Sequence, residues 1–467
     1  MYDLVVIGAG PAGVNAAMRA ADLGARTALI TSGDFGGMAA NDGTVPVRTL
    51  AHAARLMREA RQLPKYGIST SDPNLDYTRL LERAAEVIAD VRTHSAWRDD
   101  IERLGVTLFE RTGMVHFIDA HTVEAADGTR LEAANIIICT GGTSRPLNVP
   151  GFELTATPRD ALSLQVLPRS MLVIGAGATG TQVASIFNAF GSHIQLFQAS
   201  SRIIPTEDEE VSAAVASAFR KSGILIHEEF GEIESFEKSS SGVRMVFVKK
   251  DKRVVAEAEL AVVAVGWIVD DQTLNLGAAG VRTDARGYLQ VDDYLRTSVP
   301  HIFAAGDVNG KAMLVPQAIQ QGYIAATNAV RGATMAVGRE VSPIGSFTDP
   351  EYAQVGLTET RARELHDVIA IRIPFESTTR TIIDSQTVGF CKLIADPQTS
   401  RILGCHIVGE RAVDIIQIVA VAMSSGMSVD ELARIPFSFP TYAGVIGRAA
   451  YRAARELGHD VGFPRTS

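Results

Sequence analysis

The chain opens on an unbroken apolar run, Leu4-Val5-Val6-Ile7, followed by a glycine-rich turn and a segment of small and apolar residues at helical spacing. The same succession returns near residue 170. Leu4 to Thr31 reads LVVIGAGPAGVNAAMRAADLGARTALIT, and Leu172 to Gln198 reads LVIGAGATGTQVASIFNAFGSHIQLFQ. Continuous rather than alternating apolar runs suit strands of a parallel sheet covered on both faces, and small residues let the following helix pack closely. The pattern predicts two strand–turn–helix–strand units, an α/β chain with an internal duplication.

Between the units, Pro46 at a helix start and the spacing of Leu50, Ala54 and Met57 predict one helix, with a loop over Pro64 to Pro73. A second helix is expected from an N-cap at Asp76, with Leu81, Ala84, Ile88 and Val91 as its apolar stripe. Strand-like segments follow at Val106 to Phe109, Met114 to Phe117 and Ile136 to Cys139, and Pro146 to Gly151 reads as a link. The second unit runs to about Val269, a nucleotide-domain pattern resumes from Gly277 to Arg331, and from about Val341 strands surround one long apolar helix, Ala412 to Met423. The expected division is 1–150 and 271–340 for two parts of a first dinucleotide domain, 151–270 for a second, and 341–467 for a C-terminal α+β domain.

The 467 residues, 46% hydrophobic and 21% charged, exceed one ordinary core. A net charge of −9 offers no basic excess for nucleic acid or an anionic membrane. The longest apolar run, Leu260 to Val269, falls short of the about 20 residues of a membrane span. With no export signal before Leu4, a cytoplasmic location is expected. Cys139, Cys391 and Cys405 lie in separate apolar segments, read as reduced structural thiols, and no cysteine or histidine grouping gives a metal site.

Chemistry enters at the glycine turns. In GAGPAG, Gly8, Gly10 and Gly13 supply a tight turn, a bare backbone for a pyrophosphate and close helix–strand contact, and Gly175, Gly177 and Gly180 repeat the arrangement. One such motif is weak evidence, but two in the right context are not. The second strand of each unit ends without the acid that commonly meets ribose hydroxyls, since Thr31 and Gln198 occupy those positions. Gln198, Ser200, Ser201 and Arg202 suit a 2′-phosphate better than a carboxylate would, which favours NADPH over NADH. A third signal, TSVPHIFAAGD, ends an apolar strand in Gly306-Asp307, whose carboxylate suits a flavin's ribityl hydroxyls and places FAD in the first unit.

With these motifs the whole chain resembles the flavoprotein pyridine nucleotide–disulfide oxidoreductases. The resemblance extends to CTGGTSRP at Cys139 to Pro146, MLVPQAIQQG at Met313 to Gly322, FTDPEYAQVGLTE at Phe347 to Glu359 and GFCKLIADPQTSRILGCHIVG at Gly389 to Gly409. It implies two Rossmann-like domains for FAD and NAD(P), a C-terminal dimerisation domain, and a homodimer in which each C-terminal domain completes the partner's active site. It further implies cofactor contacts at Gly36, Gly37, Arg48, Gly113, Thr140, Gly141, Val315 and Gly266.

The resemblance fails where the family carries its thiols. The family's GGxCxNxGCxPxK is here GGMAANDGTVPVR, Gly36 to Arg48, with Ala39 and Thr44 in place of both cysteines. Its HPTxxE is here FPTYAG, Phe439 to Gly444, without the histidine or the glutamate. The flavin-side Lys and Glu become Arg48 and Gln182, and the nicotinamide-gating aromatic becomes Ala178. Thiols and their proton carrier depend on one another, so their joint loss excludes disulfide reduction on sequence grounds.

The reading that follows is hydride transfer from NAD(P)H to flavin and direct passage to a small-molecule acceptor such as a quinone or dye, as in diaphorases and quinone reductases. Arg48 is expected either to stabilise reduced flavin or to be a surface helix residue. Phe439 and Tyr442 of a partner either wall the acceptor cavity left by Ala39 and Thr44 or only pack the dimer. Trp97 either lines the entrance or belongs to a core. Alternatives are a soluble transhydrogenase, suggested by GTVP and FSFPTYAGVIGRAA, and a catalytically degenerate flavoprotein that binds or senses.

Overall fold

The computed structural model describes residues 1–94, 97–338 and 341–462. Strand β1 (Tyr2–Ile7) runs into helix α1 (Pro11–Asp22) and returns as β2 (Thr27–Ile30). Leu4, Val5, Val6 and Ile7 are all buried, as a centrally placed parallel strand requires. A short α2 (Gly37–Asn41) and a long α3 (Thr44–Ala60) follow, so Pro46 sits in the first turn of a helix that starts two residues before it. Helix α4 (Tyr77–His94) has the expected start, with the Arg79 amide donating to Asp76 Oδ1 at 3.0 Å. Its buried face is Tyr77, Leu80 and Ala84, and the predicted stripe fails at Val91, which is exposed. The expected loop holds a single 3-10 turn at Leu63–Tyr66.

After α5 (Trp97–Arg103) come β3 (Thr107–Phe109), β4 (Val115–Asp119), β5 (Thr122–Ala125) and β6 (Arg130–Ile138). β6 pairs in parallel with β1 along its second half, while its first half joins the antiparallel β4–β5 hairpin. The pairing of β7 (Thr143–Ser144) with a strand far along the chain closes the linker, after which α6 (Pro158–Leu162) leads to the second unit.

That unit contains β8 (Ser170–Ile174), α7 (Ala178–Ala189), β9 (His193–Gln198), α8 (Glu209–Lys221) and β10 (Leu225–Glu228). A three-stranded antiparallel layer, β11 (Glu232–Ser239), β12 (Gly242–Lys249) and β13 (Lys252–Ala258), covers one face before β14 (Leu260–Val263) completes the parallel order β10-β9-β8-β14. Phe197, Phe230 and Phe247 pack edge to face between the layers. Strand β15 (Trp267–Ile268) is the partner of β7, and short helices α9 (Asp271–Leu274) and α10 (Leu276–Ala279) return the chain to the first sheet. There β16 (Ile302–Ala304) pairs in parallel with β6. Helix α11 (Val315–Arg331) crosses α1 so closely that a Cβ on Gly322 would fall 2.1 Å from the Ala12 carbonyl oxygen.

The C-terminal part is one antiparallel sheet in the order β17 (Ile344–Ser346), β18 (Tyr352–Gly356), β21 (Ile402–Val408), β20 (Phe390–Ala395), β19 (Ile369–Pro374). Helices α12 (Glu359–Leu365) and α13 (Thr379–Ile383) lie between its strands in sequence. The expected apolar helix is α14 (Ala412–Ser424), joined by α15 (Val429–Arg434) and by α16 (Gly444–Glu456). α16 buries Val445, Ile446, Ala449, Ala450, Ala453 and Ala454 on one face. Among the described residues no helix is long and apolar enough to cross a membrane.

Candidate functional site

Each glycine turn is built from the same three devices. Gly8 has φ +104° and Gly175 φ +99°, and a Cβ at either would stand 2.4 Å from a backbone carbonyl, that of Cys139 or Ala264. The third glycines, Gly13 and Gly180, press against the carbonyls of Gly8 and Gly175, where a Cβ would lie 1.7 and 1.8 Å away. The middle glycines are open: nothing comes within 4 Å of a Cβ on Gly177, and only the Gly37 Cα, at 3.8 Å, faces one on Gly10. α1 and α7 both begin with no side-chain cap and no acid in the first turn. Their free amides and positive partial charge therefore suit a phosphate oxyanion.

Several of the other expected positions lie near the first cradle. Gly37, with φ +60°, packs on Gly10, and Gly36 has φ +98° and donates its amide to the Ala9 carbonyl at 2.9 Å. Thr31 is buried at the end of β2, its amide bonded to Phe109 and its carbonyl to the Thr112 amide and hydroxyl. Gly113 follows with φ +74°. Thr140 is exposed beside the cradle and Gly141 takes φ +70°. Gly306, just before Asp307, comes against Ala12 of α1, and Val315 opens α11. Gly266, φ +116°, belongs instead beside the second cradle, next to the Ala264–Val265 backbone that faces Gly175, and its carbonyl accepts from the Arg145 amide on the linker.

Asp307 is half-buried, accepts no side-chain hydrogen bond and pairs with no cation among the described residues; burial raises its pKa to about 6. A carboxylate held this way fits a group bearing hydroxyl donors. Gln321, buried in α11, holds the turn that presents it: its Oε1 accepts from the Gly306 amide at 2.9 Å and from Asn309 Nδ2 at 2.7 Å. Glu110 does the same for the loop after β2, taking the Phe35 amide at 2.8 Å and both contacts of Arg98 Nη2 at 2.9 Å. Neither residue stands out in sequence, although Gln321 lies in the MLVPQAIQQG stretch.

At the second cradle Gln198 is tied into the turn. Its Oε1 accepts the Ala176 amide at 2.9 Å and its Nε2 donates to Ser200 Oγ at 2.6 Å. Arg202 departs from the expected arrangement: Nη1 and Nη2 each donate at 2.9 Å to the carbonyls of Glu207 and Pro205, because the 203–207 loop leaves those acceptors unfilled. Ala178 is exposed at the start of α7.

Ala39 lies in α2, and Thr44 is exposed at the N-terminus of α3. Asn41 fixes this junction by donating to the Asp34 and Phe35 carbonyls and accepting from Arg92 Nε at 2.7 Å. Arg48, one turn into α3, is not a surface residue. Its guanidinium is stacked on the Phe347 ring, Nη1 is buried without a hydrogen-bond partner, and burial lowers its pKa to about 10, still charged at neutral pH. Gln182 turns its Nε2 to the Ala178 carbonyl at 3.1 Å and accepts the Phe347 amide at 3.4 Å, so it reaches Arg48 only through Phe347.

Phe439 and Tyr442 are not part of this chain's own cradle. Phe439 is 81% exposed, and Tyr442 donates to Asp384 Oδ2 at 2.9 Å and lines a groove of about 480 Å³ with Arg55, Glu59, Arg380 and Glu410. Trp97 packs with the core that includes Val14, Ala17 and Ile101. All three cysteines are free and buried: Cys139 against the first cradle, Cys391 and Cys405 in the C-terminal sheet with sulfurs 3.8 Å apart.

Residues 2–322 match the family model of the pyridine nucleotide–disulphide oxidoreductases and residues 342–450 match that family's dimerisation domain. The chain belongs to this family. It is 33% identical to a mercuric reductase of Lysinibacillus sphaericus over 98% of its length and 83% of the relative's. It is 31% identical to a dihydrolipoyl dehydrogenase of Haemophilus influenzae over 96% of its length and 94% of the relative's. Among solved structures it resembles the copper(II) complex of the HOCl-induced flavoprotein disulfide reductase RclA from Escherichia coli, with TM-score 0.85, 25% identity, and 97% and 99% of the two chains covered. The protein is accordingly an FAD-dependent pyridine nucleotide oxidoreductase.

Proposed function

We propose that this enzyme carries electrons from NAD(P)H through FAD to an acceptor that is not a disulfide, a quinone or dye-like molecule. The observation that carries the reading is the junction of α2 and α3. Ala39 and Thr44 stand where the family has its two cysteines, and the three thiols of the chain are buried elsewhere. When bound, the flavin supplies the hydride-accepting chemistry. The chain's own residues bind and orient: Gly8, Gly10, Gly13, Gly36, Gly37 and Asp307 hold the FAD, while Gly175, Gly177, Gly180 and Gln198 hold the nicotinamide coenzyme. Arg48 keeps a fixed positive charge beside the flavin, where negative charge grows on reduction. Gln182 supports it through Phe347.

The division at about residues 150, 270 and 340 then corresponds to split FAD-binding, NAD(P)-binding and dimerisation domains. In the homodimer, Phe439 and Tyr442 of the partner subunit reach the space opposite Arg48. Ring exposure on Phe439 supports that placement. A neutral Gln198 supports NADPH, with the exposed Ser201 as the nearer donor, since Arg202 donates to its own loop and the Ser200 hydroxyl to the Arg202 carbonyl.

Anaerobic mixing of holoenzyme with NADPH or NADH tests the reading. Bleaching of the flavin followed by reoxidation with a quinone is expected. Reoxidation by thio-NAD⁺ but not by quinone would assign a transhydrogenase instead, and no bleaching with either coenzyme would leave only a binding or sensing flavoprotein.

A further inference from the structure

The segment 347–349, which follows β17, is a strap pinned to α3 and to α7 at two points each. On α3 the Arg48 guanidinium lies against the Phe347 ring, and Arg58 Nε pairs with Asp349 Oδ2 at 3.0 Å. On α7 the Phe347 amide donates to Gln182 Oε1 at 3.4 Å, and the Asp349 amide donates to Ser185 Oγ at 3.1 Å. Gln182 and Ser185, three residues apart, share one face of the helix. Gln182 Nε2 also reaches back to the Ala178 carbonyl in the first turn of α7, beside the second glycine cradle. Between the pinned residues Thr348 is buried, its hydroxyl donating to the Pro350 carbonyl at 2.7 Å.

A ring and an acid hold an arginine in different ways. A carboxylate takes up its donors and cancels its charge, whereas an aromatic face attracts the cation and adds no charge of its own. Arg48 has the ring. Nη1 is sealed without a hydrogen-bond partner, and Glu351 and Asp414 bear on the guanidinium only through space. Residue 182, from which an acid could face α3, is neutral and engaged with backbone groups.

We propose that Phe347 is a positioning residue for flavin reduction: its ring holds the Arg48 guanidinium in place with the charge uncancelled, and the strap ties that placement to the coenzyme helix α7. The inference rests on the reading that FAD lies against Arg48. A cation already in place need not be reordered when negative charge grows on the cofactor, and an arginine left to its own torsions must be. A leucine at position 347 would keep the amide bond to Gln182 but give the guanidinium no face to rest on.

The test is the flavin midpoint potential of the holoenzyme, by mediated electrochemical titration, in wild type, Arg48→Gln, Phe347→Leu, Phe347→Tyr and the double variant of the first two substitutions. A held cation favours the reduced, more negative cofactor. Arg48→Gln and Phe347→Leu should therefore each lower the potential by roughly 30 mV, a tenfold change in the two-electron equilibrium. Phe347→Tyr keeps the ring and should stay near wild type. In the double variant the two losses should not add, because both remove the same placed charge. A role confined to packing would move thermal unfolding and leave the potential alone, or would add its shift undiminished to that of Arg48→Gln, and either result overturns the proposal. Should Phe347→Leu not fold, Gln182→Ala, which releases the Phe347 amide, should lower the potential only while Arg48 is present; an unchanged potential there overturns the proposal as well. An unmoved potential in Arg48→Gln would contradict the placement of FAD against Arg48 and the proposal with it, whereas a shift in Arg48→Gln without one in Phe347→Leu contradicts the proposal alone.

Discussion

Lys392 Nζ lies 3.0 Å from Asp208 Oδ1, joining the sheet of the C-terminal part to the N-cap of α8 in the second strand–turn–helix unit. Glu210 at 2.9 Å and Glu359 complete the ring of carboxylates about this nearly buried ammonium. Removing the cation strands a buried Asp208, and breaking such a pair costs about 3–5 kcal/mol. Lys392→Met should lower stability by about 3 kcal/mol or more, read as a reduced denaturation midpoint with an unchanged flavin spectrum at low denaturant.

The second glycine turn separates folding from binding. A Cβ on Gly180 would collide with the Gly175 carbonyl, whereas one on Gly177 meets nothing within 4 Å. Gly180→Ala should therefore impair folding. Gly177→Ala should fold and bind FAD normally yet raise the KM for NAD(P)H tenfold or more, about 1.4 kcal/mol. Equal effects of the two substitutions on thermal unfolding would refute this division of labour.

Coenzyme choice should turn on Gln198. A glutamate there retains an oxygen for the Ala176 amide but sets a negative charge where a 2′-phosphate would lie. Gln198→Glu is expected to shift the ratio of kcat/KM values towards NADH by roughly tenfold, about 1.4 kcal/mol. An unchanged ratio would mean that the 2′ position lies elsewhere.

Flavin retention should depend on pH through Asp307. Burial raises the carboxyl to about 6, and hydroxyl donors of a bound flavin would favour its charged form and pull that value down. Affinity for FAD therefore grows as pH rises through about 6 and falls below it. Titration of apoprotein with FAD at a series of pH values checks this, and in Asp307→Asn the dependence should flatten.

The parts of the fold written in local pattern were legible: β1, α1, β8 and α7 follow from continuous apolar runs and glycine turns, and α14 from its apolar length. β4 follows from the apolar Met114 to Phe117, but its hairpin partner β5 does not, being four residues long with Thr122 and Glu124 among them, nor does the β11–β13 layer, whose half-exposed strands carry mixed polar residues such as Glu237 and Arg244. α16 escaped notice because its buried face is largely alanine. The cradle glycines were readable since their spacing encodes their geometry. Gln321 and Glu110 were not, as each acts through partners twelve or more residues away in sequence. Arg202 shows the converse: a suitable side chain in the right stretch was drawn off by carbonyls of its own loop.

The central claim is that electrons leave the flavin without passing through sulfur, and counting them tests it most directly. Anaerobic reductive titration of the holoenzyme should reach full flavin reduction with one two-electron equivalent per FAD, and thiol assay should show no new thiols afterwards. Consumption of a second equivalent, accompanied by two new thiols per chain, would contradict the account.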